Sequence, residues 1–283
     1  MLATAASAGE RLRDLLKVRT VLAAGAFNPF VARLVEDAGY DAVYISGAAL
    51  SNSMALPDEG LLSRARVLEM SRDIIEAVSV PVVIDVDTGF GGPKAAAGTV
   101  AMFEAAGAAA IHIEDQDARF KRCGHLEGKH LISKQRMVEK LEAAVQARRD
   151  PGFVIMARTD ARSVEGLDAA IDRAQAYERA GVDMIFPEAP ETREEFEAFR
   201  KALKVPLLAN MTEFGKSPYL TDDEFAGLGY NLVIHPVTTF RLSARAIKDA
   251  LAEMKQQGHQ GHLASSGRLM SRVQIDSHLR TDV

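Results

Sequence analysis

The chain alternates between stretches with the apolar spacing of an amphipathic helix and short segments that are apolar throughout. In four places a helical stretch ends at a glycine and an apolar segment follows at once; these glycines are Gly39, Gly107, Gly181 and Gly229. A glycine at this point can adopt the left-handed conformation that stops a helix. The recurrence predicts a fold assembled from one helix-strand unit used repeatedly.

Eight apolar segments are predicted as strands: 20–23, 42–45, 80–85, 110–113, 153–157, 184–186, 205–210 and 232–234. Helical spacing fills the intervals, for example in 133–148, 167–180, 192–203 and 238–257. Strands without polar alternation are typical of a parallel sheet that is buried on both faces. Eight such units predict an α/β fold, a (β/α)8 TIM-type barrel, with a doubly wound sheet as the alternative.

No Pro/Ser-rich or low-complexity break separates the units, so one domain is predicted over 1–283, with about 258–283 as a C-terminal arm. The chain has a single cysteine, a net charge of −5 and no cationic, apolar leader at its start. These features favour a cytoplasmic protein and argue against nucleic acid or a membrane as partner. We therefore expect a small-molecule partner, and an anionic substrate would have to be drawn by a local cationic pocket.

Polar residues follow the predicted strands at the end where barrels of this class carry their catalytic groups. In the order of strands two to eight they are Tyr44 and Ser46, Asp85 and Asp87, Glu114 and Asp115, Arg158 and Asp160, Glu188, Asn210 with Thr212, and His235. Some of them are expected to be helix caps and turn formers instead. The remainder predict a polar site at one end of the barrel.

Asp85 and Asp87 place two carboxylates on the same side of an extended chain, and Glu114 follows the adjacent predicted strand. Oxygen ligands of this kind suit a small hard cation that keeps several waters, which predicts Mg²⁺, with Mn²⁺ as the alternative. The competing interpretation is that Asp87 and Glu114 cap helices or form salt bridges. We expect the metal site.

The single cysteine, Cys123, lies in a run with Lys121, Arg122, Gly124 and His125. Neighbouring positive charge is expected to lower the thiol pKa towards neutrality, so that the thiol gives and retakes a proton at cellular pH. The competing interpretation is a loop thiol beside a surface charge cluster. Its place shortly after the fourth strand, at the predicted catalytic end, favours an active-site role.

Four cations are candidates for binding the carboxylates of an anionic substrate: Lys121, Arg122, Arg158 and Arg241. The glycine-rich run 89–93 lacks the Lys-Ser/Thr pair and the spacing of a phosphate-binding loop. We interpret that run as flexible backbone beside the site.

Eight short motifs are distributed nearly from end to end of the chain. They are Tyr44-Ile45-Ser46-Gly47, Leu56-Pro57-Asp58, the run from Asp85 to Gly91, Ile113-Glu114-Asp115-Gln116, the run from Lys121 to His125, Ala157-Arg158-Thr159-Asp160, Phe186-Pro187-Glu188-Ala189, and the run from Asn210 to Gly215. Together they resemble the isocitrate lyase and phosphoenolpyruvate mutase superfamily. The run with Cys123 is the discriminating one, because mutase branches and several decarboxylase-like branches of that superfamily lack the cysteine.

The resemblance implies Mg²⁺-dependent cleavage of a C–C bond in a 2-hydroxy tricarboxylate to give pyruvate and succinate, the last step of propionate breakdown by the methylcitrate route. It implies that Asp85 holds the metal, with Asp87 and Glu114 acting partly through water. A base then removes the hydroxyl proton. Tyr44 and Asp58 are both candidates for that base.

By the same resemblance, Cys123 protonates the succinate half, while His125 and Lys121 set its charge environment. The implied substrate-binding residues are Ser46 and Gly47 at the pyruvyl half, the backbone N–H of Gly124, and Arg158, Glu188, Asn210, Thr212 and Arg241 around the remaining pocket. A further arginine contact from the C-terminal arm would come from Arg268 or Arg272. The resemblance also implies a homotetramer, with a C-terminal helix swapped between paired barrels and a Cys-bearing loop that closes over substrate.

The same residues also allow other hypotheses about the function. Within the superfamily they are a lyase for dimethylmalate or isocitrate, or hydrolysis of oxaloacetate. A phosphonate enzyme that forms or breaks a C–P bond is disfavoured by the intact Cys123 motif. A barrel retained for binding alone is disfavoured because Cys123 and Asp85 are both present.

Overall fold

The computed structural model describes residues 6–279 and contains a barrel of eight parallel strands. The strands are β1 (Val21–Gly25), β2 (Ala42–Ile45), β3 (Val82–Asp85), β4 (Ala110–Glu114), β5 (Val154–Thr159), β6 (Met184–Pro187), β7 (Leu208–Asn210) and β8 (Leu232–His235). Neighbours follow chain order, and β8 pairs with both β7 and β1. A parallel bridge between Ile185 and Leu207 joins β6 to β7, so the predicted barrel is confirmed and the open, doubly wound sheet is wrong.

Helices separate the strands, as the spacing predicts. They are α1 (Ala8–Val18), α2 (Pro29–Asp37), α3 (Gly47–Ser53), α4 (Arg64–Ala77), α5 (Pro93–Ala105), α6 (Lys134–Ala147), α7 (Arg162–Glu165), α8 (Leu167–Arg179), α9 (Arg193–Ala202), α10 (Asp222–Gly227), α11 (Thr238–Gln257), α12 (Gly261–Ser265) and α13 (Arg272–Asp276), with a 3₁₀ turn at Ala118–Phe120. All four junction glycines have positive φ, from 79° to 90°. They therefore act as the predicted helix stops.

Successive strand residues point to opposite faces, which divides the apolar core in two. Inside the barrel, Ala42, Tyr44 and Phe186 belong to the same buried apolar cluster as Leu12 of α1. Arg13 of this helix donates to the carbonyl oxygens of Gly152 and Phe153, just before β5, so α1 lies at the end opposite the strands' carboxyl ends. Between strands and outer helices, Val43 and Ile45 belong to the larger apolar layer. The carboxyl ends of the strands are left free for polar side chains.

The C-terminal part of the chain leaves the barrel. α11 has no fully buried residue along its 20 positions. The described part of the predicted arm forms α12 and α13 and then returns to α2, where His278 Nδ1 lies 2.5 Å from Asp37 Oδ2. Within residues 6–279 no helix is long and apolar enough to cross a membrane.

Candidate active site

A cavity of about 480 Å³ lies at the carboxyl ends of the strands. The sequence-predicted residues that line it are Tyr44, Ser46, Asp58, Asp85, Cys123, Gly124, His125, Arg158, Glu188, Asn210, Thr212 and Arg241. The ion pair between Asp87 and Lys121 lines a second, larger and more open cleft of about 1050 Å³. The smaller cavity holds the convergent polar groups, so it is the candidate active site.

The segment 121–130, here called the cysteine loop, lies over this cavity. Lys121 Nζ lies 2.7 Å from Asp87 Oδ1 and also pairs with Asp58. The side chain of Gln116 holds both backbone groups of Arg122, accepting from its N–H at 3.0 Å and donating to its carbonyl at 2.9 Å. These contacts fix the amino-terminal side of the loop against the ends of β3 and β4.

The predicted metal carboxylates converge on one side of the site. Asp85 accepts backbone N–H groups from Asp87 at 2.9 Å and Gly47 at 3.2 Å. Asp87 has a φ of +50°, which is rare for a residue with a side chain and is a strain held by the surrounding structure. Both carboxylate oxygens of Glu114 are buried without a hydrogen bond, although Arg158 Nη1 lies 3.3 Å from one of them.

These carboxylates fit a hydrated cation. Burial raises the pKa of Glu114 well above its usual value, and it raises the pKa of Asp87 even though Lys121 pairs with that carboxylate. Among the residues that the structure describes, no three His, Cys, Asp or Glu side chains enclose a metal directly. Mg²⁺ takes one or two protein carboxylates and keeps several waters, so Asp85 with water-mediated contacts to Asp87 and Glu114 satisfies its needs.

Tyr44 is held by a residue that the sequence analysis missed. Its hydroxyl lies 2.7 Å from Nε2 of His112, and the two rings stack at 5.9 Å. Burial raises the pKa of Tyr44 well above its usual value and lowers that of His112, so both groups are neutral. One of the two groups therefore donates to the other, and Nδ1 of His112 lies 3.8 Å from Asp85 Oδ1.

The environment of Cys123 differs from the expectation. Burial raises the pKa of its thiol, and the nearby carboxylates of Asp58 and Glu188 raise it further. The side chain of Lys121 is engaged elsewhere in the ion pairs described above. The predicted lowering of the thiol pKa is therefore wrong: the half-buried thiol keeps its proton at neutral pH.

The opposite wall of the cavity is a set of polar and charged side chains that contact one another. His125 Nε2 lies 2.9 Å from Glu188 Oε1, and its Nδ1 accepts the backbone N–H of Lys216 at 3.0 Å. Burial alone would raise the pKa of Glu188, but Arg158, His125 and Lys129 together lower it. Glu188 is thus a fixed anion that positions Arg158 and His125 rather than a proton carrier.

Several predicted residues are not brought to the cavity. Arg122 is exposed, and its guanidinium donates to the carbonyl of Glu127 at 3.0 Å, so it does not face a substrate there. Arg268 pairs with Glu253 on α11, and Arg272 pairs loosely with Asp276. Neither C-terminal arginine lines the cavity within this chain.

Two of the polar strand-end residues also lie elsewhere. Asp115 accepts hydrogen bonds from Tyr177 and Thr159, each at 2.8 Å, in the layer between barrel and helices. His235 lies 3.2 Å from Asp222. Side chains alternate along a strand, so Glu114 points inward while Asp115 points outward.

Comparison with known proteins shows the family of the chain. The family model described as phosphoenolpyruvate phosphomutase matches residues 12–255, and the chain belongs to this family. Within it, a 2-methylisocitrate lyase of Aeropyrum pernix is 52% identical over 250 residues, which cover 88% of this chain and 80% of that protein.

Solved structures of lower identity share the whole fold. A 2,3-dimethylmalate lyase, a member of the phosphoenolpyruvate mutase/isocitrate lyase superfamily, is 32% identical with a TM-score of 0.91, covering 97% of this chain and 92% of that one. A phosphonopyruvate hydrolase complex with oxalate and Mg²⁺ is 34% identical with a TM-score of 0.86, covering 96% and 95% of the two chains.

Proposed function

We propose that this protein is a Mg²⁺-dependent carbon-carbon lyase that cleaves 2-methylisocitrate to pyruvate and succinate, the last step of the methylcitrate cycle of propionate catabolism. The observation that carries the proposal is that Cys123, whose thiol pKa is raised by burial, lines the same cavity as Asp85. The similarity to 2-methylisocitrate lyases at up to 52% identity supports the choice of substrate.

The reaction needs one proton removed and one proton delivered. A base takes the proton of the 2-hydroxyl, the C2–C3 bond breaks, and C2 becomes the keto carbon of pyruvate. The electron pair remains on C3, which Cys123 protonates to complete succinate. When bound, Mg²⁺ would polarise the hydroxyl and carboxylate oxygens of the substrate and stabilise the developing enolate-like charge. Arg158, Arg241 and the backbone of Gly124 bind the remaining carboxylates.

Of the two candidates for the base, we propose Asp58. The pKa of the Tyr44 hydroxyl is raised well above its usual value, so the phenol keeps its proton at neutral pH, and its oxygen is already hydrogen-bonded to His112. Asp58 lines the cavity as a carboxylate paired with Lys121. The neutral hydroxyl of Tyr44 instead orients the substrate oxygen.

We further propose that the protein is a cytoplasmic homotetramer. α11 supports assembly, because Leu242, Ile247 and Leu251 are all more than half exposed along a helix without a buried residue. Exposed apolar positions of this kind are typical of a helix that packs on another chain. The single cysteine suits a reducing compartment.

The first test is pyruvate release, coupled to lactate dehydrogenase, from 2-methylisocitrate with Mg²⁺ and with chelator. We expect turnover that disappears with chelator and returns with added Mg²⁺. Dimethylmalate, isocitrate with glyoxylate detection, and oxaloacetate are the comparison substrates. Faster metal-dependent turnover of any of these acids would overturn the choice of substrate. The products formed would then show whether the reaction is still a lyase cleavage.

Gly124→Ala tests the fit of the cysteine loop on the cavity. A Cβ at Gly124 would lie 2.3 Å from Arg158 Nη2 and 2.5 Å from Glu188 Oε1, so this pair or the loop must move. We expect kcat/KM to fall by about tenfold to fiftyfold, since small displacements of substrate-positioning groups are costly. Gly227→Ala, where a Cβ meets nothing within 4 Å, is the control and should retain activity. Equal activity of the two variants would contradict the close approach of Gly124 to Arg158 and Glu188.

A further inference from the structure

Lys129 lies near the carboxyl-terminal end of the cysteine loop, and its side chain is almost completely buried. Its side chain is 1% exposed, and its Nζ donates to the carbonyl oxygen of Gly124 and to Asp160 Oδ1, the latter at 2.8 Å. Burying an ammonium group is costly unless it is paired and hydrogen-bonded. The enclosed position therefore depends on these two acceptors.

The acceptor carboxylate is itself fixed to the substrate pocket. Asp160 is fully buried and receives two hydrogen bonds from Arg158, from Nε at 2.9 Å and from Nη2 at 3.1 Å. Its backbone N–H donates to Asp115 Oδ1 at 2.9 Å. One immobile carboxylate thus joins the arginine that lines the cavity to the lysine that holds the loop.

We propose that Lys129 is a positioning residue that holds the cysteine loop closed by tying Gly124 to Asp160. Gly124 follows Cys123 directly, so a tie on its carbonyl places the thiol over the cavity. When Lys129 loses either acceptor, the loop loses the buried contact that holds Gly124 to Asp160. The effect of this Lys129 contact on turnover rests on the proposed role of Cys123 in the reaction. The proposal that Lys129 holds the loop closed does not depend on that role.

The same loop has a second lysine contact that serves as a comparison. Lys216 pairs with Glu127, whose side chain is 77% exposed. Exposed ion pairs contribute little, because water and salt screen them. Lys129→Met and Lys216→Met therefore make the same change at two contacts of one loop, the first buried and the second exposed.

The test uses Cys123 as a reporter, because it is the only cysteine in the sequence. Alkylation by iodoacetamide is followed in wild type, Lys129→Met and Lys216→Met, with Mg²⁺ and without substrate. Loss of a buried, charge-assisted hydrogen bond shifts the closed-to-open equilibrium by roughly a factor of ten, so Lys129→Met should react about tenfold faster than wild type. Lys216→Met should stay within about twofold.

An unchanged alkylation rate in Lys129→Met with a native melting temperature would overturn the proposal, as would equal acceleration in both variants. If Lys129→Met does not fold, Lys129→Ala serves in its place, since it also removes both the charge and the donor, and the same rate criteria apply. The alkylation needs no turnover. Suppose that the protein cleaves none of the tested acids, but Lys129→Met is still alkylated about tenfold faster than wild type. The proposed function would then be wrong, and the proposed role of Lys129 in holding the loop closed would stand.

Discussion

Cys123→Ser is expected to lower kcat by about 10³-fold, because a positioned proton donor contributes roughly 10²- to 10⁴-fold and serine is a much weaker acid than cysteine. The substitution changes one atom and leaves the backbone contacts of the loop in place. KM for 2-methylisocitrate should therefore change by less than about threefold, the pattern of an interaction made only in the transition state. Steady-state kinetics by pyruvate release measures both constants.

The pH profile of the wild-type enzyme provides an independent check. Because the thiol pKa is raised by burial, the proton is present through neutral pH and is lost as the pH rises past the usual range of a thiol. Activity should decline on that alkaline side. Cys123→Ala should be as inactive as Cys123→Ser; a serine variant with near wild-type kcat would rule out the thiol as the donor.

Asp58→Asn is expected to lower kcat by about 10²-fold or more, because the amide cannot accept the hydroxyl proton. It also removes one of the two ion pairs of Lys121, which keeps Asp87 at 2.7 Å. The remaining pair holds the lysine in place, so the loss is assigned to proton transfer. The melting temperature, measured alongside kcat, should show that the variant is folded.

Tyr44→Phe is the matched comparison, since it removes the other candidate base. Losing the hydroxyl leaves His112 Nε2 without its partner, so a loss of about tenfold is expected from misorientation alone. A larger loss in Tyr44→Phe than in Asp58→Asn would reverse the assignment and make the tyrosine the base.

The fold could be predicted from the sequence because its signal is repeated and local. Gly107 and Gly181 stop helices through their own backbone conformation, and the strands that follow are buried on both faces. Neither feature depends on distant parts of the chain. The position of the catalytic end followed from the barrel, which is why Asp85 and Glu188 were expected where they lie.

The charge environment of Cys123 could not be read in the same way. Lys121 and Arg122 are its neighbours in sequence, but one side chain turns to Asp58 and Asp87 while the other faces solvent. Which charges approach a loop residue is decided by contacts between distant segments. His112 was within reach of the sequence, since it precedes Glu114 by two residues and therefore shares its inward face.

The backbones of β6 and β7 are paired only by an isolated bridge between Ile185 and Leu207, so this is the least extensively paired junction between neighbouring strands of the described barrel. Ile185 donates to Pro206 across it at 3.0 Å, so Pro187, two residues on, faces the same neighbour and has no N–H to continue the ladder. Above that gap, the Asn210 amide donates to the Glu188 carboxylate at 3.3 Å and 3.4 Å. The two residues that line the substrate cavity at this point also join β6 to β7, so a substitution at either one is expected to disturb the barrel as well as the cavity.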